Sequence, residues 1–138
     1  MSALLEKQPG STLPYPHSGG GEKPAILWFS CMIRPEKLDV VTGALDKLNL
    51  VGGMTVTDVR GFGRQKGSVE HYRGGEIQIR LIDKVKIDLI ISKADAEGVI
   101  QTIRDKAQTG IVGDGKIFVA EVDKVLRVRT GEKGLSAL

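Results

Sequence analysis

Two stretches of strand–helix–strand patterning, separated by a long aperiodic segment, predict an α+β fold. Their arrangement is that of a ferredoxin-like βαβ-βαβ sandwich, in which two helices cover one face of an antiparallel sheet. The first observation is a pair of short apolar or alternating runs, 26 to 33 and 84 to 92, each followed by a helical stripe. The second is the interruption between the halves, from 61 to about 83, which is too long for an ordinary turn and expected of a functional loop. The third is composition. The chain has 138 residues, 41% hydrophobic but only 4% aromatic, which suits one domain with an aliphatic core. A domain this small buries a limited share of its surface, so association of subunits is expected to help it.

Residues 1 to 24 differ from the rest. Pro9, Gly10, Pro14, Pro16 and Gly19-Gly20-Gly21 break any periodicity, so a flexible N-terminal tail is expected, with the domain over 25–138. His17 lies in that tail with no partner for a metal role. Residues 26 to 33 (Ile-Leu-Trp-Phe-Ser-Cys-Met-Ile) suit a central strand covered on both faces. Pro35 and Glu36 then open a helix to about Leu48, with Leu38, Val41, Leu45 and Leu48 at helical spacing. Gly52-Gly53 closes the connection, and 54 to 60 alternates as a second strand. After the aperiodic segment, Val85, Ile87, Leu89 and Ile91 form one face of a strand. Ser92 with Asp95 predicts a capping box, and Ala96, Val99, Ile100, Ile103 and Ala107 a helical stripe. Gly110 fits the position just past that helix. Strands are expected over 116 to 122 and 125 to 129, the last placing Arg127 and Arg129 on one face. The uncovered sheet face carries Met32, Val59 and Ile90 and predicts oligomerisation.

Several function classes fall away. The net charge of +3 comes from 20 basic and 17 acidic residues interspersed, which favours a mixed solvated surface over a nucleic-acid patch. Cys31 has no partner for an internal disulfide and reads as a small buried hydrophobe. No run of 18 apolar residues and no secretory signal is visible, so the cytosol is the expected compartment. Neither His lies in a base-like arrangement, and no Cys/His cluster offers a metal site. RNA-recognition domains share this element order, but their stacking aromatics are missing: Arg60-Gly61-Phe62-Gly63 continues into Arg64-Gln65-Lys66, and 116 to 119 holds a single aromatic. Binding without turnover is the reading these residues favour, over a phosphate-transferring enzyme or an RNA-binding module.

Residues 109 to 116, Thr-Gly-Ile-Val-Gly-Asp-Gly-Lys, concentrate three glycines and a lysine, the composition of a loop that approaches an anion closely. The spacing imitates the start of a P-loop, yet Ile117 stands where the magnesium-binding Ser or Thr belongs. The setting is also inverted, helix before and strand after, so a helix N-terminus is not what faces phosphate. Lys116, Arg127 and Arg129 are the cations available for a polyphosphate. The same residues also fit a helix-to-strand turn with ordinary surface cations, and spacing alone does not choose between the two. Asp114 between two glycines fits a turn residue bonding its own backbone better than a general base.

Three segments resemble the PII signal-transduction family: 53 to 67 (Gly-Met-Thr-Val-Thr-Asp-Val-Arg-Gly-Phe-Gly-Arg-Gln-Lys-Gly) its approach to the T-loop, 109 to 119 its B-loop, and 127 to 132 (Arg-Val-Arg-Thr-Gly-Glu) its C-loop. The resemblance runs from about Phe29 to Leu138. It implies a homotrimer of ferredoxin-like subunits binding ATP or ADP in the clefts between them. It implies phosphate contacts from Gly113, Asp114, Gly115 and Lys116 with Arg127 and Arg129, and an approach by Thr55 and Gly63. It further implies 2-oxoglutarate bound through Mg2+ on ATP, with Gln65 completing the metal site and Lys84 pairing with a carboxylate. The T-loop, with Tyr72 and the loop-tip Arg73, is then expected to dock on a partner: an ammonium or bicarbonate transporter in the membrane, or an enzyme of nitrogen or carbon metabolism. Switching would follow ligand contacts to that loop.

The departures cluster in the same loop. Ile77 stands where many bacterial members carry the uridylylated tyrosine, and Gly75 where cyanobacterial members carry a phosphorylated serine, so neither modification is expected. Arg80 replaces a common acidic residue, and Asp88 replaces a glutamate. One extra residue lies near Val51-Gly52. These changes leave room for a different partner, such as an inorganic-carbon transporter.

Overall fold

The computed structural model describes residues 25–62, 69–71, 77–79 and 81–138. Strand β1 (Ile26–Ile33) leads through a 3-10 turn (Pro35–Lys37) into helix α1 (Leu38–Asp46) and strand β2 (Met54–Gly61). Strands β3 (Val69–His71) and β4 (Ile77–Ile79) pair with each other as a separate two-stranded sheet. Strand β5 (Ile82–Ser92) leads through a second 3-10 turn (Lys93–Asp95) into helix α2 (Ala96–Ala107) and strand β6 (Lys116–Glu121). The main sheet runs β2-β5-β1-β6 with every neighbouring pair antiparallel. This is the expected α+β sandwich.

The core follows from the alternation. Leu27, Phe29, Cys31 and Ile33 of β1 and Val85, Ile87, Leu89 and Ile91 of β5 share one face, against Val41 and Leu45 of α1 and Val99, Ile103 and Ala107 of α2. All are aliphatic except Phe29 and Cys31, and burial pushes the Cys31 thiol up to about 11, as an apolar setting disfavours the thiolate. The opposite face of the sheet has no covering layer among the described residues. It holds Trp28, Met32, Ile90, Val59 and Phe118, with Trp28 and Phe118 about half exposed.

Four expectations need correction. Residues 125 to 129 do not form a strand: a single bridge joins Leu126 to Lys133 around a turn. The turn closes because the Gly131 amide donates to Arg127 O (2.8 Å) and the Arg127 amide to Glu132 O (2.9 Å), with Gly131 at φ +78°. Alternation there reports a turn's arms, not a strand. The long interruption is shorter than expected, since β5 already starts at Ile82 and β3 and β4 lie within it. The capping box is half made: Ser92 Oγ accepts from the Ala94 amide and caps a 3-10 turn, while Asp95 contributes no side-chain bond. Leu48 falls beyond α1 and is 39% exposed, because the helix tightens and ends at Asp46.

Candidate functional site

The glycine loop of residues 109–115 is held from behind by two cations. Arg34 follows the last residue of β1, and the proline after it keeps its backbone extended (φ −66°, ψ 139°). Its Nε donates to Asp114 Oδ1 at 3.0 Å, and one terminal nitrogen donates to Val112 O (2.9 Å) and Ile111 O (3.3 Å). Lys84 of β5 donates through Nζ to Gly113 O. Burial, and then the neighbouring Arg34 charge, hold the Lys84 pKa below its ordinary value, partly offset by Asp114 and Glu36.

Asp114 ties the loop to its own start. It accepts from the Thr109 hydroxyl and from the amides of Thr109 (2.8 Å) and Gly110 (2.8 Å), besides Arg34. These bonds, the Thr109 hydroxyl foremost, hold its carboxyl far below the usual carboxylate range. Asp114 thus bonds the backbone of its own loop, as a turn residue does.

A trans peptide points its carbonyl and the following amide in opposite directions. Drawing the carbonyls of Ile111 and Val112 toward Arg34 therefore turns the amides of Val112 and Gly113 the other way. Among the described residues no hydrogen-bond acceptor meets the amides of Val112, Gly113 and Gly115, while the turn at 112–113 directs the Asp114 amide toward Ile111 O. Gly110, Gly113 and Gly115 have φ of +87°, +110° and +104°, and consecutive amides in such a loop form an anion-receptive concavity. At Gly115 the close packing also needs glycine, because a Cβ there would lie 1.7 Å from Met32 O.

The other expected residues are dispersed within one chain. Lys116 opens β6 on the uncovered face, in the row of Met32, Lys86 and Thr57. Thr55 pairs with Asp88 on β5, four residues from Lys84, or about 13 Å along the strand. The chain leaves β6 at its far end, where the Val122 amide meets Ile26 O, about 17 Å from Lys116. The turn bearing Arg127 and Arg129 follows from there. Arg127 donates to Glu132 Oε1 (3.0 Å) and Leu138 O (2.6 Å), and Arg129 is exposed. Among the described residues no hydrogen bond or ion pair joins Arg127 or Arg129 to the loop, and β6 carries the chain away from it before their turn begins. Gly63, Gln65, Tyr72 and Arg73 lie outside the described residues. A groove of about 740 Å³ with a mixed polar and apolar lining surrounds Lys84, formed also by Asp58, Val59, Arg60, Leu81 and Asp83.

Arg34 and Thr109 are the site residues that sequence reasoning missed. Thr109 carried a weak signal, a hydroxyl five residues before Asp114. Arg34 carried almost none, being one basic residue between a strand and a proline.

Fold and site together define a ferredoxin-like domain with a braced, amide-lined glycine loop. The comparisons with known proteins name the family. The model of the "Nitrogen regulatory protein P-II" family matches residues 29–132. A "Nitrogen regulatory protein P-II" of Rhizobium meliloti is 51% identical over 110 residues, covering 80% of this chain and 97% of the relative. That of Synechocystis sp. is 48% identical over 107 residues, covering 78% and 95%. A crystal structure of Arabidopsis thaliana PII bound to citrate superposes with a TM-score of 0.68 at 38% identity, covering 84% of this chain and 94% of that one. The chain belongs to the nitrogen regulatory protein P-II family. It is a signal-transduction regulator, not an enzyme. No helix among the described residues is long and apolar enough to cross a membrane.

Proposed function

We propose that the chain senses adenine nucleotides, binding ATP or ADP with the polyphosphate on the amides of Val112, Gly113 and Gly115 and the Lys116 ammonium. The observation that carries this is the capture of three successive loop carbonyls by Arg34 and Lys84, which presents the intervening amides to an anion. Since Thr55, Arg127 and Arg129 stand away from the loop in one chain, the cleft is completed by neighbouring copies in a homotrimer. The exposed Trp28 and Phe118 on the uncovered sheet face support that assembly.

The effector in this reading is a small carboxylate, 2-oxoglutarate first. The Arabidopsis relative was solved with citrate, another small carboxylate. Lys84 pairs with it in this reading: exchanging the neutral Gly113 carbonyl for a carboxylate gives its partly desolvated ammonium a charged partner. Among the described residues no three His, Cys, Asp or Glu side chains gather to hold a metal. A Mg2+ ion in this reading would draw its oxygens from nucleotide and effector, with the Gln65 amide oxygen as the protein's ligand. The T-loop, through Tyr72 and Arg73, then docks on a transporter or metabolic enzyme, without uridylylation because Ile77 has no hydroxyl. The altered loop, with Gly75 and Arg80, also supports a second reading in which the partner is a bicarbonate transporter.

Calorimetry with ATP and ADP tests the core of the reading. Binding by the wild type and its loss in Arg127→Ala are expected, whereas no binding, or unchanged binding in the variant, rejects it. Capture of partners in ADP, in ATP, and in ATP with 2-oxoglutarate then identifies the regulated protein. Capture indifferent to all three would remove the switch.

A further inference from the structure

We propose that Arg34 is the positioning residue of the glycine loop, setting its amide face before any ligand arrives. The inference rests on the nucleotide reading and names the residue that sets that site's affinity. Arg34 stands at a fixed point, after the last residue of a central strand and before a proline. From there one planar group reaches three acceptors: the Asp114 carboxylate and the carbonyls of Ile111 and Val112. The Asp114 carboxylate binds the amides of Thr109 and Gly110 in turn, so the guanidinium controls both the entry and the turn of the loop. Two of the outward amides, those of Val112 and Gly113, follow directly from the carbonyls that Arg34 holds. With a side-chain exposure of 20%, the guanidinium is shielded enough for these charge-assisted bonds to matter. A lysine in its place keeps the charge toward Asp114 but lacks the planar fork for the two carbonyls.

The test uses the full chain with Arg34→Gln and Arg34→Lys. Amide hydrogen exchange is followed at Thr109 and Gly110, whose amides donate to Asp114, in the ligand-free protein, and ATP and AMP affinities are measured on the same samples. In Arg34→Gln, exchange over the loop rises and ATP affinity falls, each by about tenfold or more, while AMP affinity changes by less than about threefold. Arg34→Lys recovers part of both effects. Loop exchange at the wild-type level in Arg34→Gln, or equal losses for ATP and AMP, overturns the proposal. Should Arg34→Gln lose protection in α1 as well, the same two ratios are read in Arg34→Lys. A wild type that binds neither nucleotide, while its loop exchange still depends on Arg34, rejects the nucleotide reading and leaves the loop's positioning in place.

Discussion

Gly115→Ala compared with Gly110→Ala separates the two demands the loop makes on glycine. Both positions have positive φ, +104° and +87°, so an alanine at either costs about 1–2 kcal/mol in backbone strain. At Gly110 a Cβ would enter open space, whereas at Gly115 it would lie 1.7 Å from Met32 O and 2.8 Å from its carbonyl carbon. A carbon–oxygen contact needs about 3.3 Å, so about 1.6 Å must be opened between loop and strand. Met32 is paired on both sides, with Lys86 of β5 and Lys116 of β6, so it is the loop that moves. Moving it pulls against the Asp114 brace and the three captured carbonyls. The expected losses are about 1–2 kcal/mol for Gly110→Ala and about 3 kcal/mol or more for Gly115→Ala. At about 4 °C per kcal/mol for a domain of this size, melting falls by about 4–8 °C and by about 12 °C or more. Thermal melts of both variants with urea titrations alongside measure the difference. Equal losses would refute the close packing of the loop against β1.

Three further outcomes follow from the same geometry. Asp114 has a depressed pKa in the folded state, so its stabilisation is fully present above the unfolded value near 4 and is lost as pH falls through the folded one. Asp114→Asn should therefore melt lower than wild type at pH 7, with the gap starting to narrow below about pH 4 and narrowing further as the pH falls; a gap of the same size at pH 2 as at pH 7 removes the carboxylate from the loop's bracing. The Cys31 thiol, buried and pushed up to about 11, should resist a disulfide reagent at pH 8 until the protein is unfolded in urea, and fast labelling in native buffer contradicts its burial. Leu45→Ala should cost about 2–5 kcal/mol by leaving a cavity under α1, with ATP affinity unchanged once folded; weakened ATP binding would tie that helix to the site.

What the sequence made legible is what depends on local periodicity. The apolar run of β1 is bounded correctly because Leu27, Phe29, Cys31 and Ile33 are buried along its whole length, but the cover expected on its second face is missing among the described residues, where Trp28 is 43% exposed. The stripes of α1 and α2 were legible for the same reason, through Val41 and Leu45 and through Val99, Ile103 and Ala107. The turn at 125–133 was misread because its alternation is local while its closure depends on Gly131 and on the Arg127–Glu132 pair. The loop's composition pointed to an anion, but what shapes it is a contact across 80 positions, Arg34 to Asp114, which no spacing rule encodes. The path from Lys116 to Arg127 is hidden likewise, since ten intervening residues say nothing of which end of a strand the chain departs from.

That path has a consequence for assembly. Lys116 lies in the row of Met32 and Lys86, while Leu27 pairs with Glu121 at the other end of the sheet, where the turn bearing Arg127 begins. A nucleotide held by the glycine loop and by Arg127 at once must then bridge two copies of the chain. Its binding free energy is shared with their association, so ATP should raise the apparent affinity between subunits, by mass action on the assembled form. Dilution series with and without ATP, followed by light scattering, should show dissociation moving to lower protein concentration when the nucleotide is present. Arg127→Ala should keep the nucleotide-free association, because the apolar sheet face is untouched, and lose the response to ATP. An association indifferent to ATP in the wild type would mean that each nucleotide is held within a single chain. The distance between the two ends of β6 would then have to be spanned by the described turn folding back on its own loop, which none of the Arg127 contacts to Glu132 and Leu138 prepares.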